Sequence, residues 1–253
     1  MAEPRSVFVT GGANAVGRAL ALDLAAHGMQ VYVVDIDDEH GHSCVDEITR
    51  AGGVATYRHV DVRDEAQVAA ALDDMVDRYG RIDGAVNNAG TEAPMPLVDA
   101  DVATFRAVLE SNLVSVFLCV KHEARLMRRQ TDGGSIVNIS SVTSDLTAAV
   151  NNGLYGTSKG GVDALTKAAG VELAGDGISV NALAFIAADV PDGMFQRFVA
   201  DQHVPVQPIL DAIPARRMLR PDELATAVRF LLDPAARYMT ASMLVMDGGF
   251  TSQ

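Results

Sequence analysis

Seven short apolar runs, separated by longer stretches of helical period, constrain the fold of this chain more than any other feature of its sequence. They are Val7–Thr10, Val31–Asp35, Ala55–Val60, Gly84–Asn87, Ser135–Ser140, Ser179–Leu183 and Met243–Met246. Most carry Val, Ile and Leu without polar alternation, the pattern of strands buried on both faces of a parallel sheet. Between them, apolar residues recur at helical spacing over Val16–His27, His40–Ala51, Glu65–Tyr79, Val102–Arg129, Tyr155–Ala174 and Asp222–Leu232. Gly28, Gly80 and Gly175 stand where helices should stop, and Pro221 with two following acids opens the last one. Such alternation predicts an α/β fold, doubly wound and three-layered around a seven-stranded parallel sheet. Ile186–Ala215 departs from it, with Pro191, Pro205, Pro208 and Pro214 and no clear period. A stretch that long in a compact fold is usually a lid or binding loop. The expectation is one domain over residues 1–253 with a substrate lid at about 186–215.

Composition removes several functions. A net charge of −13 repels phosphate backbones and anionic headgroups, so nucleic acid and membrane are not expected as partners. No run of about 18 apolar residues is evident, and MAEPRS leads into the first strand without an apolar leader. Cys44 and Cys119 have no disulfide logic and read as small buried hydrophobes, which fits a cytoplasmic protein. His40 and His42 lack a third ligand at sensible spacing, so no metal is expected; Gly-x-Ser-x-Gly is absent as well.

What remains is nucleotide chemistry. In VFVTGGANAVGRALALDLAAHG, Gly11 and Gly17 bracket a tight turn that delivers the chain into a helix. A helix N-terminus offers free amides and a positive dipole end to a pyrophosphate. Glycines also serve plain turns, but Asp35 ends the next strand 18 residues after Gly17. That is near the spacing of an acid that binds a ribose hydroxyl pair. A carboxylate there repels a 2′-phosphate, and neither Ile36 nor Asp37 offsets it, so NAD is favoured over NADP. Tyr155 and Lys159 lie one helical turn apart on one face. Free tyrosine, with a pKa of about 10, is a poor base at neutral pH, and a neighbouring ammonium would lower that value. Ser141, on the turn after IVNIS, can hydrogen-bond a substrate oxygen. Taken alone, a Tyr-x-x-x-Lys pair also reads as an exposed helix pair.

Together these features resemble the short-chain dehydrogenase/reductase family over the whole chain, from Val7 to the C-terminal MDGGFTSQ. TGGANAVG is similar to the family's glycine motif, Asp61-Val62 to its adenine-contacting pair, and Asn87-Asn88-Ala89-Gly90 to its strand-four signature. Asn112, Ser141, Tyr155 and Lys159 match its catalytic tetrad. The resemblance implies a Rossmann-like fold and a hydride exchanged between nicotinamide and a secondary alcohol or its ketone. It implies Tyr155 as acid/base, Lys159 on the nicotinamide ribose, Ser141 on the substrate oxygen and Asn112 holding a relay water. The implied cofactor contacts are Gly11, Asn14, Ala15, Val16 and Gly17 at the turn, and Asp35 and Ile36 at the ribose. Asp61 and Val62 follow at the adenine, then Asn88, Ala89 and Gly90 with Tyr155 and Lys159. It also implies a homotetramer or dimer through the helices carrying Asn112 and Tyr155.

Three positions depart from the family. Ala15 stands where the motif has glycine, which removes the positive-φ option at the closest approach to the cofactor. Ala184 runs directly into Phe185-Ile186, so the family's Pro-Gly turn is missing. Ala188 stands where a threonine would donate a hydrogen bond. Weakened cofactor binding with intact chemistry is the first consequence; a degenerate binding or scaffold protein is the alternative. The substrate is expected to be small and largely uncharged, in an apolar pocket of Leu146, Ala148, Val150, Phe185, Met194, Phe195 and Phe198.

Overall fold

The computed structural model describes residues 4–201 and 203–253. Its strands are β1 (Ser6–Thr10), β2 (Gln30–Asp35), β3 (Val54–His59), β4 (Gly84–Asn87), β5 (Gly134–Ile139), β6 (Ile178–Phe185) and β7 (Met243–Met246). They form one seven-stranded sheet in the order β3-β2-β1-β4-β5-β6-β7, parallel throughout. The winding reverses between β1 and β4, which leaves a crevice at the strands' carboxyl ends.

The helices are α1 (Ala15–Ala26), α2 (Asp38–Arg50), α3 (Glu65–Tyr79), α4 (Val102–Leu109), α5 (Ser115–Met127), α6 (Gly153–Leu173), α7 (Met194–Asp201), α8 (Val206–Ala212) and α9 (Pro221–Leu232). Side chains of β1 alternate between two cores. Val7 and Val9 pack with Leu20 and Leu24 of α1, Ile48 of α2 and Leu231 of α9. Phe8 packs on the other face with Leu72 and Met75 of α3, Val116 of α5 and Val162 of α6. Helices thus cover both faces, and apolar burial on that scale is the main force holding the layers.

Local chemistry accounts for most boundaries. The Asp64 carboxylate accepts from the amides of Ala66 and Gln67 and starts α3, which Gly80 ends at φ 78°. Such left-handed backbone suits glycine. Gly175 does not stop α6: the chain continues through a 3₁₀ turn over Ala174–Asp176, and the left-handed residue is Gly177, φ 72°.

Two other expectations need correction. Val102–Arg129 is not one regular helix, because a π-helical turn over Glu110–Val114 separates α4 from α5. Within Val102–Met127 one 18-residue window reaches a mean hydropathy of 1.5, long and apolar enough by composition to cross a bilayer, although Arg106, Glu110 and Asn112 interrupt its apolar residues. Here Val116, Cys119, Val120 and Met127 are instead spent in the core. The second concerns the proline-rich segment, which carries α7 and α8. These are too short, at 8 and 7 residues, to show a period. Pro205 precedes α8 and Pro208 lies in its first turn, where a missing N–H breaks no intrahelical bond.

Candidate active site

The glycine turn joins β1 to α1 by close backbone packing. A Cβ at Gly11 would stand 2.8 Å from the Ala89 Cα, and one at Gly17 would stand 1.9 Å from the Gly11 carbonyl oxygen. Asn88 locks this packing. Its side-chain amide donates to the carbonyl oxygens of Thr10 (3.2 Å) and Gly11 (3.1 Å), and its backbone amide to Thr10 Oγ1 (3.0 Å). Ala15 corrects its expectation, since it holds the left-handed conformation, φ 47°, that its methyl group was expected to forbid. The surrounding contacts impose the backbone path and the alanine bears the strain. Asn14 precedes α1 without capping it, and its side chain donates instead to Asp37 Oδ2 at 3.1 Å. The first amides of α1 therefore have no side-chain acceptor where Asn14, Ala15 and Val16 line a cleft. Amides so placed suit an anion.

Asp35 ends β2 with its carboxylate accepting from the amides of Ala13 (3.0 Å), Ile36 (2.8 Å) and Asp37 (3.2 Å). Asp37 and Asp38 add negative charge beside it. Arg18 supplies no counter-charge, because its guanidinium is 2.5 Å from Glu47. Asp61 is gripped by Arg63, with Nη2 2.6 Å from Oδ2, and this hydrogen-bonded guanidinium holds it below the usual carboxylate range. Ile36 and Val62 add apolar lining.

At the other end of the cleft, Tyr155 and Lys159 project from successive turns of α6, the ammonium 5.6 Å from the tyrosine ring centre. Lys159 is buried and donates to the Ile139 carbonyl at 2.7 Å. Burial pushes its pKa down to about 8, opposed by the carboxylate of Asp163 one turn further on. Ser141 Oγ is 3.0 Å from Thr143 Oγ1 and lines the same cleft as Tyr155. The Tyr155 hydroxyl is pushed above its ordinary value, first by burial and then by the charge of Glu92, with Ser141 acting the other way. The lowering expected from Lys159 is therefore not what the protein alone provides: desolvation of the phenolate dominates and raises the value.

Asn112 lies in the π-helical turn, fully buried. Its amide group donates to the Thr91 carbonyl (2.8 Å) and Ser158 Oγ (2.9 Å), and its oxygen accepts from the Thr91 amide (2.7 Å). The side chain is thus occupied in fixing the chain after β4 against α6.

One cleft of about 970 Å³ runs from Asp35 to the lid helices. Every site residue expected from the sequence lines it except Gly17 and Asn112, which stand behind its wall. Ala148, Phe185, Met194, Phe195 and Phe198 line it too, whereas Leu146 and Val150 do not and are 39% and 86% exposed. Sequence reasoning missed Glu92 and Arg197. An acid two residues beyond the Asn-Asn-Ala-Gly motif, at the carboxyl end of β4, was the available signal for Glu92. Among the described residues, no group of three His, Cys, Asp or Glu side chains could hold a metal ion.

A family model described as enoyl-(acyl carrier protein) reductase matches residues 11–251. The 2,5-dichloro-2,5-cyclohexadiene-1,4-diol dehydrogenase of Sphingobium indicum is 36% identical over 250 residues, covering 98% of this chain and 97% of that protein. The chain belongs to the short-chain dehydrogenase/reductase family. The cis-4-hydroxycyclohexanecarboxylate dehydrogenase of Sinomonas cyclohexanicum is 37% identical over 254 residues, 98% of this chain and 97% of that one. Levodione reductase superposes with a TM-score of 0.92 at 33% identity, covering 98% of both chains. The chain is thus a short-chain oxidoreductase of alcohols with the family's Rossmann-like fold, and its class uses a nicotinamide cofactor.

Proposed function

We propose that this enzyme is an NAD-dependent dehydrogenase of a cyclic secondary alcohol, or the reductase of the matching ketone. One observation carries the reading: a single cleft joins a carboxylate beside an uncapped helix N-terminus to a Tyr–Lys–Ser cluster. Asp35, with Asp37 and Asp38 beside it, suits the two ribose hydroxyls and opposes a 2′-phosphate. The amides of Ala15 and Val16 suit the pyrophosphate, and Asp61 and Val62 the adenine. Asn88, Ala89 and Gly90 lead toward the nicotinamide ribose, within reach of Tyr155 and Lys159. When bound, the nicotinamide ring supplies the two-electron step by accepting or returning a hydride.

The chain's own groups handle the proton. Tyr155 takes the alcohol proton at its hydroxyl oxygen, or returns it to the carbonyl, while Ser141 holds the substrate oxygen. Lys159 favours the phenolate by its charge, and Asn112 positions the Thr91 backbone and the Ser158 hydroxyl beside them. A water serving a proton relay there would bind main-chain groups or the remaining lone pair of Asn112 Oδ1. The apolar lid residues Met194, Phe195 and Phe198 shield the site from water.

We treat residues 1–253 as one dinucleotide-binding domain whose lid is residues 186–215. In this reading the protein is cytoplasmic and pairs with copies of itself through α5 and α6, where Phe117 and Val171 are 48% and 73% exposed. The strained Ala15 is the observation that favours the alternative, a binding protein without catalysis. Ser141, Tyr155 and Lys159 lining the cleft, with Asn112 behind them, argue against it, because a site without chemistry has no use for a complete tetrad. Titration with NAD, NADH, NADP and NADPH, followed by oxidation assays on cyclohexanol, tests the choice. NAD(H) binding and turnover are expected, with Tyr155→Phe lowering turnover about 10²–10⁴-fold at unchanged NADH affinity. Binding of none of the four would overturn the proposal.

A further inference from the structure

Three acidic residues line the cleft, and they divide between its ends. Asp35 and Asp61 stand at the proposed adenosine end. Glu92 lies near enough to Tyr155 for its charge to act on the phenol hydroxyl. The proposed proton chemistry gives it no task. Glu92 is half-buried, and among the described residues no hydrogen bond or ion pair engages its carboxyl group. The wall of the cleft is largely apolar, with Val142, Ala148, Phe195, Phe198 and Ile209 among its lining. Burial raises its pKa to about 7, with Arg197 and Asp201 of α7 acting in opposite directions.

A polar group left unpartnered in such a wall costs free energy unless a ligand completes it. Arg197 lines the same cleft and donates to the Asp192 carbonyl at 2.7 Å, so a cationic ligand there would meet the charge of a guanidinium as well as that of the carboxyl group. A hydroxyl group meets no such repulsion. It donates to a carboxylate and accepts from a carboxylic acid, so it suits Glu92 on either side of neutrality.

We propose that Glu92 is a specificity-determining residue that receives a second hydroxyl of the substrate. The preferred substrate is then a cyclic diol, or the hydroxyketone formed from it. One oxygen lies on Tyr155 and Ser141 and the other on Glu92. This inference rests on the alcohol dehydrogenase reading of the site and adds the class of alcohol.

Initial rates with NAD on cyclohexanol and on 1,2-, 1,3- and 1,4-cyclohexanediol test it, for the parent enzyme, Glu92→Gln and Glu92→Ala. The best diol should exceed cyclohexanol in kcat/KM by about tenfold or more in the parent, chiefly through KM. The ratio should fall to about one in Glu92→Ala and be partly retained in Glu92→Gln, whose amide can still pair with a hydroxyl. Because each ratio is taken within one preparation, a general loss of folding or activity cancels. A parent ratio near one, or an unchanged ratio in Glu92→Ala, overturns the assignment of Glu92 while the dehydrogenase reading stands. A folded parent that oxidises none of the four alcohols with NAD or NADP overturns both.

Discussion

Lys159 donates from Nζ to the main-chain oxygen of Ile139 at 2.7 Å, its only hydrogen bond among the described residues. One neutral acceptor does not compensate for loss of water, so burial lowers the pKa from 10.5 to about 8. The sign follows from linkage. Between these values the unfolded chain binds the proton and the folded chain releases it, so stability rises with pH there. Below pH 8 the folded protein carries the whole cost, about 3 kcal/mol at most. Lys159→Met should therefore stabilise the protein at pH 7 by about 1–2 kcal/mol, once the unpaired Ile139 carbonyl is counted. It should also abolish turnover. Urea unfolding of both proteins at pH 7 and pH 9.5 checks this, with the gain expected to shrink at the higher pH. A destabilised variant at pH 7 would mean that the ammonium is not strained by burial.

Ala15 holds φ 47° at the entrance to α1. Left-handed backbone costs a residue with a Cβ about 1–2 kcal/mol, and glycine avoids it. Against that, glycine loses about 0.4–1 kcal/mol through the greater freedom of the unfolded chain. Ala15→Gly should stabilise the protein by a net 0.5–1 kcal/mol, roughly, in urea unfolding. A net loss of stability would show that the turn imposes no strain.

Much of this was legible in the sequence because strand and helix periods are local. Val7, Phe8 and Val9 read as a strand buried on both faces, and each lies in one of the two cores. The π-helical turn at Asn112 was hidden, since one extra residue per turn barely disturbs a helical pattern. Phe185-Ile186 was read as a lost turn. In the fold Phe185 extends β6 against Met246, and the bend falls at Ala187, φ 39°. The sequence change therefore lengthens a strand as well as removing a turn. Glu92 offered only its place two residues beyond the Asn-Asn-Ala-Gly motif, because the rest of its surroundings comes from α7, far along the chain.

Cofactor choice follows from the charge around Asp35. Its carboxylate is fixed by three backbone amides, and Arg18, the nearby cation on α1, is paired with Glu47. NAD(H) should bind at least about tenfold more tightly than NADP(H), or about 1.4 kcal/mol. Asp35→Ala should narrow that gap by weakening NADH and admitting the 2′-phosphate. Calorimetric titration of both proteins decides it, and equal affinities in the parent would defeat the argument.

A last prediction concerns Glu123, which is wholly buried beneath the Asn-Asn-Ala-Gly segment. Its Oε2 accepts from Asn87 Nδ2 at 3.1 Å, and the same nitrogen donates to Asn138 Oδ1 at 3.0 Å. Asn138 donates onward to Thr166 Oγ1 at 2.9 Å, which ties β4 and β5 to α6. Desolvation raises the Glu123 pKa from 4.5 to about 8, with the Asn87 bond acting against it. Here the folded protein holds the proton more tightly than the unfolded chain. The group's contribution is therefore complete below pH 4.5 and declines as pH rises toward 8. The full difference is about 4–5 kcal/mol at most. Glutamine keeps the acceptor for Asn87 and has no proton to lose. Glu123→Gln should thus follow the parent at pH 5 and exceed it by at least about 2 kcal/mol at pH 8.5 in urea unfolding. Because Asn87 precedes the residue that locks the glycine turn, ionisation of Glu123 in the parent should also loosen NADH binding at high pH. The glutamine variant should lose less affinity over the same range. Parallel stability curves for the two proteins would show that Glu123 stays ionised in the folded state.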